Sequence, residues 1–267
     1  MVQMEAYKVL TANRLKIIAA TAMFFDHFVS VFIPHNELLN LVFRLLGRTA
    51  APIFCFFVAQ GFHYTSNVKK YTVRLLILAV ISHFPYNLSF GLTSFQRIIQ
   101  FLEMGEFLAI AREVFRATSV IWPLAMGLLA LTAFKSEKIN LIMKLAITAA
   151  CCVLSFRANW NFVAVLWILA FGIFHGNFKR QIAAFCIISV VFHLIPAFIR
   201  YGFFHPRFPQ WFQLGIFLTI PLLAMFNGKA GNKSRFMTWF FYVFYPGHLI
   251  FLYLLNQFTS LAEMLGR

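Results

Sequence analysis

The chain contains a single aspartate, Asp26, and it stands directly before His27 inside the apolar run 15–34, LKIIAATAMFFDHFVSVFIP. Imidazole is the side chain that changes charge nearest neutral pH, so His27 has the chemistry of a general base. Other ionisable or amide groups interrupt later apolar runs: Arg44 and Arg48, His83 with Asn87, and His248. A charge at the centre of a membrane helix costs about 2.5–3.5 kcal/mol, so such groups face a cavity or a partner. Arg44 and Arg48 are four apart and share one helix face. Arg44 is near enough to a span end to snorkel, whereas Arg48 sits in Gly47-Arg48-Thr49-Ala50-Ala51-Pro52, whose small residues let another backbone approach. Adjacent helix positions point roughly 100° apart, so Asp26 and His27 address different neighbours. The expectation is that His27 faces a cavity as the base, while Asp26 meets an arginine of the next span, Arg48. A purely structural Asp26–Arg48 ion pair is the alternative. His63 and His193 read as interhelical hydrogen-bonding or interfacial residues.

The elements that must hold these groups follow from composition. Of 267 residues 61% are hydrophobic and 12% charged, with a mean hydropathy of +0.78. Soluble domains carry about 45–50% apolar and about 25% charged residues, so this is a polytopic all-α membrane protein. Nine spans are expected, near 15–34, 42–64, 71–91, 114–134, 139–157, 160–177, 181–204, 210–227 and 236–257. With the N-terminus inside, the inner face collects Lys8, Arg14, Lys16, Lys69, Lys70, Arg74, Lys135, Lys138, Lys144, Lys179, Arg180, Lys229, Lys233 and Arg235. The outer face collects Arg97, Arg112, Arg116, Arg157, Arg200, Arg207 and Arg267; the asymmetry of 14 against 7 supports that orientation. Residues 93–113 are too polar for a span and read as a helix on the outer interface or a tethering loop. The polar start MVQMEAYKVLTANRLK implies that the first apolar segment is retained. No linker or repeat divides residues 1–267, which read as one domain.

The same composition narrows the function classes. A net charge of +15 is spread over loops as topology signals are, so nucleic acid is not an expected partner. Cys55, Cys151, Cys152 and Cys186 lie in apolar stretches without metal-ligand spacing and read as packing residues. Acidic residues are too few for a carboxylate-rich metal site, and no soluble-enzyme motif is present. At the α-helical rise His27, His83 and His248 fall at a common depth, about 18 Å from the inner ends of their spans.

These residues sit within an ordered set of motifs: Leu15-Lys16-Ile17-Ile18 leading to Asp26-His27, Gly47 to Phe54 (GRTAAPIF), Gly61-Phe62, and Tyr71 with Arg74-Leu75. Ser82-His83-Phe84-Pro85-Tyr86-Asn87 follows, then Asn227-Gly228-Lys229-Ala230-Gly231 and Phe244-Tyr245-Pro246-Gly247-His248. The pattern resembles the TraX family, membrane proteins associated with N-terminal acetylation of conjugative pilin, and more distantly the wider transmembrane acyltransferases that use cytoplasmic acyl-CoA. The resemblance implies an acetyltransferase of the bacterial inner membrane. It would use acetyl-CoA to acetylate an amine, such as the N-terminus of a pilin or other surface protein. An envelope glycan or lipid acceptor, transport of a small anion or lipid, and a non-catalytic assembly factor are the competing readings. His27, Asp26, Arg48 and His248 are then the expected catalytic set. Arg44, His83, Asn87 and Tyr245 would contact substrate, and Arg14, Lys16, Lys69 and Lys70 would meet the CoA phosphates. The chain departs from the pattern where members carry acids in the third-span turn, here His83 and Asn87, and at Asn159.

Overall fold

The structure is a computed structural model describing residues 8–34, 37–201, 209–232 and 234–264. Arg207, Lys233 and Arg267, counted in the charge asymmetry, lie outside them. The described residues contain no β-strand, only isolated bridges at Leu10–Phe226 and Thr118–Ala158. Helices run in the order α1 (Ala12–Phe32), α2 (Leu38–Gly47), α3 (Ala50–Tyr64), α4 (Val68–Ser89), α5 (Phe95–Glu103), α6 (Phe107–Val114) and α7 (Ile121–Lys135). They continue as α8 (Leu141–Leu154), α9 (Asn161–Ile173) and α10 (Phe178–Ser189), which passes through a π-helical turn (Val190–Leu194) into α11 (Ile195–Tyr201). A 3₁₀ segment (Pro209–Leu218), α12 (Thr219–Ala224) and α13 (Arg235–Met264) complete the chain.

A helical segment thus falls on each apolar stretch. Four stretches are long and apolar enough to cross a bilayer: Ala12–Phe32, Leu38–Tyr64, Phe178–Arg200 and Trp239–Thr259. The chain is an integral membrane protein. Ile121–Lys135, Leu141–Leu154, Asn161–Ile173 and Trp211–Ala224 are shorter, and α4 is diluted by Lys69, Lys70, Arg74, His83 and Asn87.

The second apolar stretch is two helices, for a backbone reason. Pro52 stands in the first turn of α3 and lacks the N–H that would bond the carbonyl of Arg48, so the ladder is interrupted there. Arg48 closes α2 with its N–H on Arg44 O at 3.1 Å, and the Thr49 hydroxyl donates to Leu46 O at 2.7 Å. The break puts Arg48 at a helix end, where its side chain swings beside α1.

One end of the bundle is built from capped helix starts. Thr11, Asn67, Asn140, Asn177 and Ser234 accept from the backbone N–H groups of Arg14, Lys70, Met143, Arg180 and Met237, satisfying donors at the starts of α1, α4, α8, α10 and α13. The same end holds the C-terminus of α3, where His63 stacks on His175 at 3.9 Å and bonds Gly172 O at 2.9 Å. The N-terminal segment joins it through Leu10 N to Met225 O, Ala12 N to Lys229 O and Asn13 N to Ala230 O.

The core lies where α3, α7 and α9 meet. Ile53, Leu128, Leu131, Val163, Trp167 and Phe171 are fully buried there. Cys55 and Cys151 are buried and Cys152 and Cys186 half-buried; the Cys55 thiol points at Ala164 O. Residues 93–113 contain two short helices, α5 and α6, joined by a turn at Gly105 and tied by Arg97–Glu113 at 3.0 Å. Ile99, Leu102, Phe107 and Leu108 remain exposed on this hairpin, as an amphipathic interfacial element requires.

Candidate functional site

His27 and His248, 221 positions apart, meet in the middle of the bundle. His27 Nδ1 lies 2.9 Å from His248 Nε2, with the rings 5.2 Å apart and 15° from parallel. Both are buried. His248 Nδ1 lies 2.8 Å from Phe244 O, one turn earlier on α13. A carbonyl oxygen only accepts, so His248 Nδ1 carries the proton. In the neutral ring Nε2 then holds the lone pair, and His27 Nδ1 donates to it. The remaining nitrogen, His27 Nε2, is left with a free lone pair, which is the form a general base needs. Phe90 meets His27 edge-on at 5.1 Å and Phe244 stacks on His248 at 4.8 Å, fixing both rings.

Asp26 turns the other way. Its Oδ2 accepts from Arg48 Nη2 at 2.6 Å and its Oδ1 lies 3.8 Å from Arg44 Nε. Asp26 and His27 therefore address different helices, α2 and α13, as their angular offset on α1 requires. The approach of α2 depends on Gly47, since a Cβ there would lie 2.2 Å from Asp26 Cβ and 3.2 Å from Ala22 O. Aromatic rings cover the guanidiniums: Arg44 lies 3.9 Å from the Phe212 ring centre, and Arg48 5.2 Å from Phe212 and 5.0 Å from Trp160.

A cavity of about 360 Å³ lies at the capped end of the bundle; His27, expected to face a cavity, does not line it, nor does His248, and the cavity comes closest to the pair through Phe244 and Tyr245, which pack on His248. Asn13, Lys16 and Asn232 line it near the α1 start; Met23, Phe244 and Tyr245 line it beside the pair. Its middle is apolar, with Phe54, Phe57, Leu75 and Leu78. Lys16 Nζ rests 5.1 Å from the Phe57 ring centre and 5.6 Å from that of Phe241. Tyr245 also meets the His248 ring edge-on at 5.5 Å.

The structure does not gather every residue that the sequence singled out. Arg14, Lys69 and Lys70 are exposed at the capped end, Lys70 beside cavity-lining Tyr71, while Lys16 alone of the four lines the cavity. His83 and Asn87 stand apart from the pair. His83 Nε2 bonds Val114 O at 2.7 Å, and Asn87 Nδ2 bonds His83 O at 2.9 Å and Ala117 O at 3.0 Å. They hold the segment returning from α6, and His83 lines a separate groove with Val80, Phe84, Val114 and Phe115. Equal depth along parallel helices did not decide proximity; the direction each helix face turned did. Conversely, Trp160 and Phe212 were not legible as site residues, because an aromatic at the start of an apolar segment has no distinguishing pattern. Trp160 and Asn161 adopt φ of 65° and 34°, the left-handed region that non-glycine residues seldom enter. Of the two histidines read as glue, His63 bonds Gly172 O, whereas His193 bonds Gln213 at 2.9 Å and packs against Trp160, its ring tilted 31° at 5.0 Å.

Comparisons with known proteins agree with this arrangement of motifs. The chain is 25% identical over 246 residues to a probable fimbrial assembly protein FimC, serogroup H1, of Dichelobacter nodosus, covering 91% of this chain and 94% of that protein. No solved structure matches the chain. The TraX protein family matches residues 11–256, a stretch that contains the imidazole pair, the Asp26–arginine cluster and the Lys16 cavity, and the chain belongs to that family.

Proposed function

We propose that this protein is a membrane-embedded acetyltransferase that transfers acetyl from acetyl-CoA to an amine, the N-terminus of a pilin or another surface protein. The observation that carries this reading is the lone pair left on His27 Nε2 by the hydrogen bonds running through His248 to Phe244 O. An ammonium cannot attack a thioester, so a base that removes the amine proton as the bond forms supplies about 10²–10⁴-fold. In the transfer, the amine nitrogen bonds to the thioester carbonyl carbon while His27 Nε2 takes its proton. The carbon–sulfur bond then breaks, and the imidazolium returns the proton to the leaving thiolate. His248 accepts from His27 Nδ1 and stabilises the imidazolium that forms. Arg48, held by Asp26 at 2.6 Å, supplies the positive charge for the developing oxyanion.

The cavity supports acetyl-CoA as donor: a slot with an apolar middle suits a pantetheine arm, and Lys16 at its outer end suits a phosphate. Arg14, Lys69 and Lys70 extend that positive charge at the surface. The reading places the capped end in the cytoplasm and the protein in the bacterial inner membrane with nine spans, N-terminus inside, as the charge asymmetry favours. The relative's name, a fimbrial assembly protein, supports a pilin-like acceptor.

Labelled acetyl-CoA, membranes containing the protein and mass spectrometry of surface proteins and glycans test the proposal. The label is expected on a protein amino terminus. His27→Ala at normal protein level is expected to lose at least about 10²-fold of the transfer, and His248→Phe, which keeps the packing but not the acceptor nitrogen, to lose less. Full transfer by His27→Ala, or label confined to glycan, would reject the reading.

A further inference from the structure

A second cavity, about 770 Å³, opens on the flank of the bundle at the end opposite the caps. Helices α4 and α8 both pack on α7, and the groove lies between them over the start of α7. Val80, Phe84, Phe115, Val153, Leu154 and Phe156 line it and are exposed, so it faces the bilayer rather than the core. Its polar groups gather where the helices end. Thr118 and Arg157 stand in the loops before α7 and after α8, and Thr118 N donates to Arg157 O at 3.3 Å. Thr118 Oγ1 is buried without a hydrogen bond, and Arg157 is exposed with no ion pair among the described residues. The other polar rings of the wall, His83 and Trp122, are committed to Val114 O and Leu154 O. No acid among the described residues lines the groove.

We propose that this groove binds a phospholipid of the adjoining leaflet, its phosphate on Arg157 and Thr118 and an acyl chain along the apolar wall, and that it favours anionic phosphatidylglycerol over a zwitterionic lipid. The order of the groups carries the assignment. On α4, Val80 lies one turn deeper than Phe84, and on α8 Val153 and Leu154 precede the loop that bears Arg157. The apolar wall therefore leads inward from a polar mouth, as an acyl chain leads inward from its headgroup. A free phosphate would leave the wall uncovered, and a chain without a headgroup would leave Arg157 and Thr118 Oγ1 unanswered. Guanidinium and hydroxyl both donate to phosphate oxygens. With Glu113 paired to Arg97, the charges left in residues 93–118 and at 157 are Arg112, Arg116 and Arg157 against Glu103 and Glu106. That surplus favours a headgroup without an ammonium. The groove is separate from the imidazole pair, so the inference does not rest on the transferase reading.

The test uses the full chain in phosphatidylcholine nanodiscs with graded fractions of phosphatidylglycerol or phosphatidylcholine whose acyl chains are dibrominated. Bromine quenches the fluorescence of a tryptophan it touches, and Trp122 lines the groove. Brominated phosphatidylglycerol is expected to reach half-maximal quenching at about fivefold lower fraction, the effect of one arginine at a membrane surface. Trp122→Phe is expected to remove that difference, leaving tryptophans that both lipids quench alike. Arg157→Gln is expected to remove it too, and Arg157→Lys, which keeps the charge, to retain part of it. Arg112→Gln, exposed and outside the groove, is expected to leave it unchanged. Equal quenching of the wild type by the two lipids overturns the proposal without any variant. So does a preference that survives Trp122→Phe or Arg157→Gln. A preference lost equally in Arg112→Gln and Arg157→Gln would mean general surface charge and overturn the site.

Discussion

At the scale of single residues, the site divides along α1 between an imidazole pair on one side and an ion-paired cluster on the other. His27 and His248 are both neutral-ring partners of one chain of hydrogen bonds, and the orientation of that chain is set by a backbone carbonyl rather than by an acid. Asp26 does not orient His27; it holds Arg48. Removing one partner of a buried pair leaves an uncompensated charge and costs about 3–5 kcal/mol. Asp26→Asn is accordingly expected to lower thermal stability by that order, because two guanidiniums lose the carboxylate they share. Asp26→Asn combined with Arg48→Met is expected to recover part of the loss, measured as thermal unfolding in nanodiscs. Additive losses in the double variant would mean that the two side chains are not energetically coupled.

At the scale of elements, the decisive feature is how close α2 runs to α1. Gly47 faces Asp26 with no room for a side chain, and Gly215 of the 3₁₀ segment lies against Leu45 with a Cβ position only 1.9 Å from its carbonyl oxygen. Overpacking of this kind costs about 1–3 kcal/mol. Gly47→Val is expected to lower stability by at least that range and to force the Asp26–Arg48 pair apart. Gly247, beside His248 on α13, meets nothing within 4 Å. Gly247→Ala is therefore expected to be neutral or to stabilise the helix by up to about 1 kcal/mol. Equal losses at the two glycines would contradict the close helix approach as the cause. The interruption at Pro52 belongs to the same scale, since an unbroken second span would keep Arg48 within a continuous helix instead of at its end.

At the scale of the whole molecule, basic residues follow the caps of α1, α4, α8 and α10: Arg14 and Lys16, Lys69 and Lys70, Lys144, and Lys179 with Arg180. Cations at helix N-termini oppose the helix dipole, so their placement serves topology and surface charge rather than helix stability. Single cysteines at exposed positions 70 and 180 are expected to react with a membrane-impermeant maleimide only in inverted vesicles. One at exposed position 104 is expected to react from outside in intact cells. The opposite pattern would reverse the orientation and with it the side from which the Lys16 cavity opens.

Membrane residence, the all-helical class, the TraX motifs and the different directions in which Asp26 and His27 turn were legible in the sequence. Each rests on local quantities: apolar run length, residue order, and the fixed angle between neighbours on a helix. The meeting of His27 with His248, the sharing of Asp26 by two arginines and the aromatic wall of Phe212 and Trp160 were decided only by tertiary structure. So was the separation of His83 and Asn87 from the pair, although depth along the helices had aligned them. The reason is geometric. Sequence specifies how far along its own axis a residue lies and which face it shares, while the rotation of that face toward a partner is set by packing. In this protein that rotation is set by backbone contacts at Gly47, the break before Pro52 and the crossing of α13 over α1.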